Sequence, residues 1–175
     1  RFTTAGTLAT MYAIMLARAF TGRQLVVKLG GGWHGANPLA LKGVARDKSG
    51  FDHVDSAGMS RSAEGEIAVT PLNDLDALHR LFAAMGDRVA CFIFEPSVGN
   101  AGFIPVSTEF MRAARDLTAQ YGALLILDEV ITGFRFCASG VQKLYGVKPD
   151  LSIYGKIIGG GMPVSAVVGR AAVMD

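Results

Sequence analysis

Val89-Ala90-Cys91-Phe92-Ile93-Phe94 and Ala123-Leu124-Leu125-Ile126-Leu127 are unbroken apolar runs with no polar residue at alternate positions. A strand of this kind has no face to offer to water, so it belongs inside a sheet covered on both sides. Amphipathic segments supply the cover. Leu8, Met11, Tyr12, Met15, Leu16 and Ala19 recur at helical spacing between Thr7 and Phe20, with Gly22 as a stop. Leu75, Leu78, Leu81, Phe82 and Met85 follow a cap at Asn73 or Asp74 and run to Gly86. Ser107 caps a third helix carrying Phe110, Met111, Ala114, Leu117 and Tyr121, ended by Gly122, and Gly140–Tyr145 reads as a short fourth. Gln24–Leu29, Glu66–Thr70, Leu151–Tyr154 and Val164–Val168 read as further strands. Strands and helices that alternate across short turns predict an α/β fold, a three-layer α/β/α arrangement around a mostly parallel central sheet. Periodicity fails from Ala36 to about Gly65, which predicts a long surface excursion, either a functional lid or a disordered crossover.

Glycine makes up 22 of the 175 residues, where about 7 % usage would supply about a dozen. The glycines follow no three-residue period and half of the residues are apolar, which excludes collagen and low complexity. A net charge of +2 argues against nucleic acid or an anionic membrane as partner. Uncharged runs such as Ile157–Gly169 fall short of the roughly 20 apolar residues that span a bilayer, so no membrane segment is expected. Cys91 and Cys137 lie far apart, with neither a disulfide framework nor metal-ligand spacing, so no metal is expected and a cytoplasmic setting fits. The chain opens on Arg1 with no basic-then-apolar leader, and both ends read as cut.

Ligands of such sheets bind beyond the carboxyl ends of the strands. Trp33 and His34, Glu95, Asp128 and Glu129, and Lys156 all stand there, while the Gly6-Thr7 turn opens a helix whose free N–H groups suit a phosphate. An amine, carboxylates, an aromatic and a phosphate cradle together suit pyridoxal 5'-phosphate. Its chemistry needs a lysine with a pKa depressed by partial burial, a carboxylate that keeps the ring nitrogen protonated, and a flat side chain to stack on the ring. Each residue alone has a plainer reading: Asp128 as a helix cap, Lys156 as one of six lysines of which most are solvated, Trp33 as core or rim packing, Glu95 as the end of a strand before Pro96.

Ordered motifs carry a resemblance that runs nearly end to end. They are Ala5-Gly6-Thr7 with its helix to Arg23, Trp33-His34-Gly35, Phe94-Glu95-Pro96 with Gly99-Asn100-Ala101-Gly102, Leu127-Asp128-Glu129-Val130-Ile131-Thr132-Gly133-Phe134-Arg135, and Lys148-Pro149-Asp150 leading to Gly155-Lys156-Ile157-Ile158-Gly159-Gly160-Gly161-Met162-Pro163-Val164. The chain resembles class III pyridoxal-phosphate aminotransferases of fold type I, nearest to glutamate-1-semialdehyde 2,1-aminomutase-like members.

The resemblance implies that residues 1–175 are part of a cofactor-binding large domain, with an N-terminal segment and a small C-terminal domain lying outside. It implies Lys156 as the Schiff-base lysine that moves the proton of the reaction. Asp128 would pair with the pyridinium nitrogen, and Trp33 and Val130 would lie on opposite ring faces. Gly6 and Thr7 would hold the phosphate, Asn100 would lie near the phenolic oxygen, and His34 and Glu95 would support the site. The 36–65 excursion corresponds in position to the region that forms a mobile lid in the aminomutase, although its sequence does not match that lid. It further implies a homodimer with a shared site, acting on a small-molecule amino donor and a carbonyl acceptor. Ala5 and Leu8 stand where the family usually has serine and glutamate, leaving fewer phosphate donors.

The alternatives are the aminomutase reaction itself, an internal exchange of amino group and carbonyl, and a degenerate relative that binds cofactor without turnover. A nucleotide site at Gly30–Gly32 is disfavoured, because Trp33 is bulky and no Gly-Lys-Ser/Thr follows.

Overall fold

Helix-forming and strand-forming segments fall where the apolar periodicity puts them. The structure, a computed structural model, describes residues 1–48 and 50–175; Ser49, within the 36–65 excursion, lies outside the described residues. In chain order the elements are β1 (Phe2–Thr3), α1 (Gly6–Thr21), β2 (Leu25–Leu29), α2 (Arg61–Gly65), β3 (Ile67–Thr70), α3 (Leu75–Met85), β4 (Val89–Phe94), β5 (Ser97–Val98) and β6 (Ile104–Pro105). They continue with α4 (Thr108–Gln120), β7 (Leu124–Asp128), α5 (Gln142–Tyr145), β8 (Leu151–Tyr154), β9 (Ser165–Gly169) and α6 (Ala171–Met174).

The main sheet has the order β1-β9-β8-β7-β4-β2-β3. Strands β3, β2, β4, β7 and β8 are parallel, and β9 and β1 close one edge antiparallel. A small hairpin, β5 with β6, stands apart. The expected three layers are present. Strand β1 and the β5–β6 hairpin were not foreseen, since two-residue strands carry no periodicity to read.

The two-residue pleat sorts each strand between two cores. Val27, Leu29, Phe92, Phe94, Leu125 and Leu127 face Leu78 and Phe82 of α3 and Phe110 of α4. Val26, Cys91, Ile93, Leu124, Ile126, Ile153 and Val167 face Ala9, Ala13, Ile14 and Ala17 of α1. Alanine on the buried face of α1 lets that helix lie close to the sheet. Side-chain caps hold the other face: Asp74 Oδ1 accepts the Ala77 N–H at 2.8 Å and Ser107 Oγ the Phe110 N–H at 3.1 Å.

The excursion is less detached than its sequence suggests. Asn37, Ala40 and Lys42 are buried, and Ala40 joins the core on the α1 face beside Val26. The bridge Lys42–Val54 and the Gly43 N–H to His53 carbonyl bond at 3.0 Å fold the segment onto itself.

Asp150 ties both layers to the sheet. Its carboxylate accepts from Arg115 at 2.8 Å, Arg170 at 2.7 Å and the Leu125 N–H at 2.9 Å. Burial alone would raise this carboxyl, but Arg170, the Leu125 N–H and Arg115 outweigh it and hold the group below its ordinary value. A depressed carboxylate adds stability that is present above the ordinary value of 3.8 and lost as pH falls through the lower folded value. Replacing Asp150 by alanine is expected to lower the free energy of unfolding by about 3 kcal/mol in urea at neutral pH. The difference between the two proteins should shrink on acidification below the ordinary value, and equal stability at neutral pH would contradict this role.

Candidate functional site

The carboxyl ends of β2, β4, β7 and β8 and the start of α1 border one cleft of about 300 Å³. Gly6, Thr7, Trp33, His34, Glu95, Asp128, Val130 and Lys156 all line it. Asn100 does not; it is exposed in the Gly99–Gly102 turn.

Asp128 is the last residue of β7 and follows Leu124 and Ile126 on the α1 face, so the pleat aims it into the cleft. Its Oδ2 lies 2.8 Å from His34 Nδ1, and its Oδ1 accepts the Val130 N–H at 3.1 Å. An ionised carboxylate only accepts, so with Asp128 ionised Nδ1 is the donor of this contact. The histidine is fixed at its backbone as well: the His34 carbonyl accepts from the Thr10 hydroxyl at 2.6 Å and the Asn37 amide at 3.0 Å. His34 Nε2 is buried without a hydrogen-bond partner among the described residues.

Glu129 is adjacent in sequence and opposite in role. It is fully buried outside the cleft, where it accepts the Val141 N–H at 2.7 Å, the Gln142 N–H at 3.4 Å and the Thr132 hydroxyl at 3.2 Å. Burial pushes its carboxyl up, against those three donors and with the Asp128 charge adding to the rise. The sequence pairs the two carboxylates, and the pleat separates them.

Helix α1 opens the opposite side of the cleft. Ala5 at its N-cap makes no side-chain cap, and the first turn carries no acidic residue. The positive end of a 16-residue helix is therefore free to meet an anion. Gly35, at φ +84°, packs directly on this turn, where a Cβ would sit 2.7 Å from Thr7 Cα. A Cβ on Gly6 would meet the Val130 methyls at 3.2 and 3.3 Å, so the helix start and Val130 are in close contact.

Trp33 is 42 % exposed along the cleft. Its backbone N–H donates to Glu95 Oε1 at 2.9 Å, and Glu95 Oε2 accepts the Gly99 N–H at 3.1 Å. Burial raises the Glu95 carboxyl, opposed by His34 and the Trp33 N–H. Beneath this turn lies Lys28, wholly buried in mid-strand β2. Its Nζ donates to the Gly32 carbonyl at 2.8 Å and the Lys42 carbonyl at 2.7 Å. Burial lowers Lys28 from 10.5 to about 8, with the Asp55 and Glu95 charges opposing. A neutral lysine amine still has two N–H groups, enough for both carbonyls.

Lys156 follows β8 and begins a short 3₁₀ turn, Lys156–Gly159, with φ +47°. A left-handed non-glycine residue is uncommon and recurs at functional sites. Within residues 1–175 Lys156 is exposed at the cleft. Thr10, Asn37 and Lys28 were not recognised from sequence as supports of the site. A mid-strand lysine was the stronger of two available signals, and a polar Thr10 on an otherwise apolar helix face was the weaker.

The chain matches the Aminotransferase class-III family over residues 1–175. It is 47 % identical over all 175 residues to a glutamate-1-semialdehyde 2,1-aminomutase of Caldivirga maquilingensis and spans 41 % of that protein's length. Its fold is similar to that of an omega-transaminase from Sphaerobacter thermophilus, with a TM-score of 0.94 at 38 % identity over 99 % of this chain and 41 % of that one. A transaminase solved with PLP bound gives a TM-score of 0.93 at 32 % identity, again over 99 % of this chain and 41 % of the other. The chain spans about two fifths of the length of these relatives. With a family match from its first residue to its last, the chain belongs to the class-III aminotransferases.

Proposed function

We propose that residues 1–175 form part of the large domain of a pyridoxal-5'-phosphate-dependent enzyme that transfers an amino group between an amino acid or amine and a keto acid or aldehyde. One observation carries this reading: a single cleft places the His34–Asp128 pair, an uncapped helix N-terminus and Lys156 around one space. The donor set fits the group part by part. The start of α1 offers N–H donors and Thr7 to a phosphate, Asp128 offers an acceptor to a ring nitrogen, and Lys156 offers an amine to an aldehyde. About 300 Å³ is the lower end of the range for small-ligand sites.

When bound, pyridoxal phosphate supplies an aldehyde that takes up an amine and a ring that withdraws electrons from the carbon losing its proton. Residues of this chain would contribute to the rest. Lys156 Nζ holds and returns the proton. Asp128, held by His34 Nδ1 and the Val130 N–H, keeps a proton on the ring nitrogen. Gly6 and Thr7 bind the phosphate, and Val130 and Trp33 confine the ring. The identity with an aminomutase favours a second reading, internal exchange of amino group and carbonyl within one substrate.

We place the protein in the cytoplasm, a reducing setting that suits the free Cys91 and Cys137. Among the described residues no helix is long and apolar enough to cross a membrane. We further propose a homodimer. Phe103, Ile104, Phe134, Phe136 and Leu144 are exposed apolar residues, and several of them flank a second cavity with Pro96 and Val141. Such a surface suits burial against a second copy. Sedimentation of the full-length protein should give a dimer, and charged replacements at Phe136 and Leu144 should shift it towards monomer; a monomeric wild type would overturn the proposal.

Full-length protein titrated with pyridoxal phosphate should develop the absorption band of lysine-bound cofactor, and Lys156→Ala should lose it. No band in the wild type, or a band kept by the variant, removes Lys156 from its role. Asp128→Asn should still bind cofactor while turnover falls about 100-fold or more, as expected for loss of a charge that stabilises the transition state. Conversion of glutamate-1-semialdehyde without an added keto acid would select the aminomutase reading.

A further inference from the structure

The peptide joining Gly32 to Trp33 is held at both of its polar atoms by buried ionisable side chains. Its oxygen accepts from Lys28 Nζ at 2.8 Å, and its N–H donates to Glu95 Oε1 at 2.9 Å. Lys28 is 0 % and Glu95 4 % exposed; the bond to Lys28 is buried and the bond to Glu95 partly so. Two hydrogen bonds at opposite ends of one peptide fix the rotation of its plane. That plane sets the direction in which the next side chain, Trp33, leaves the backbone.

Lys28 also binds the Lys42 carbonyl at 2.7 Å, and the neighbouring Gly31 N–H donates to the Gly43 carbonyl at 2.8 Å. The buried start of the excursion and the tryptophan turn thus hang from one ammonium group. Glu95 Oε2 extends the same set to Gly99, in the turn after β5.

We infer that Lys28 and Glu95 are positioning residues that clamp the Gly32–Trp33 peptide from its two ends, orient Trp33 in the cleft and tie the 36–65 excursion to it. Neither residue needs to touch a ligand for this. The clamp stands apart from the cofactor reading, because its consequences are visible in protein to which no cofactor has been added.

Trp33 is the single tryptophan of this sequence. In the full-length protein, subtracting the emission of a Trp33→Phe variant isolates its indole. With no cofactor added, Lys28→Met and Glu95→Leu should each raise acrylamide quenching of that indole about twofold or more, and each should speed exchange of the Trp33 amide about tenfold, the scale of one lost hydrogen bond. The double variant should do little more than either single one, since both act on one peptide. Lys42→Met, which removes the Nζ contacts to Asp52 and the Ile67 carbonyl but keeps the Lys42 carbonyl, should leave Trp33 as it is.

Unchanged quenching and exchange in the single variants would overturn the clamp. So would effects that multiply in the double variant, or an equal change in Lys42→Met, which would mark general loosening. Should Lys28→Met not fold, the unaltered protein and Glu95→Leu still decide. The Trp33 amide of the unaltered protein must exchange slowly, and exchange at the rate of an open loop refutes the bond to Glu95.

Discussion

Strands β4 and β7 are buried on both faces, and the rest of the molecule follows from that burial. A strand with apolar cores above and below has no lateral position where a polar group can be solvated. Chemistry is forced to the ends of the strands, and in a parallel sheet the carboxyl ends collect on one side. Glu95, Asp128 and Lys156 come from three strands well separated in sequence, yet β4, β7 and β8 lie next to each other in the sheet. Their meeting in one cleft is a consequence of strand order rather than of any local motif.

Within that edge, the pleat decides which polar group faces which partner. Asp128 and Glu129 are neighbours with the same chemistry, but one turns toward α1 and His34 while the other turns away to bind the backbone at the start of α5. Shifting β7 by one residue would exchange them. The close packing of α1 then sets the distance across the cleft. Alanines on its inner face bring it near the sheet, and Gly6 and Gly35 remove the side chains that would hold Val130 and the His34 loop away from its first turn.

Most of the fold was legible because its signals are local. Apolar runs, helical spacing and the caps Asp74 and Ser107 each sit inside the element they define. The cleft residues were legible as strand-end residues and through motif order. What the sequence did not reveal depends on contacts between distant segments. Lys28 reads as an interruption of an apolar strand until the Lys42 carbonyl, 14 residues on, is brought to it. Thr10 reads as a neutral helix residue until the His34 carbonyl, 24 residues on, is seen above it. Asn100 shows the reverse: motif order suggested the cleft, and the exposed turn after β5 places it outside. The excursion misled because periodicity reports regular elements only, and Asn37, Ala40 and Lys42 are buried without forming one.

Four buried ionisable residues near the edge share a pattern. Glu95 binds the N–H groups of Trp33 and Gly99, Glu129 those of Val141 and Gln142, Lys28 the carbonyls of Gly32 and Lys42, and Asp128 the N–H of Val130. A buried charge costs several kcal/mol unless it is well bonded. Here the bonds go largely to main-chain atoms of the loops that leave the strands. Loops have few backbone partners of their own, and backbone groups buried without partners carry a cost too. Each charge and each loop thereby removes the penalty of the other, and loops at the open end of the sheet acquire fixed backbones. A site that must hold a ring, an anion and an amine in register requires that rigidity, and an apolar core residue in place of Lys28 or Glu95 could not provide it.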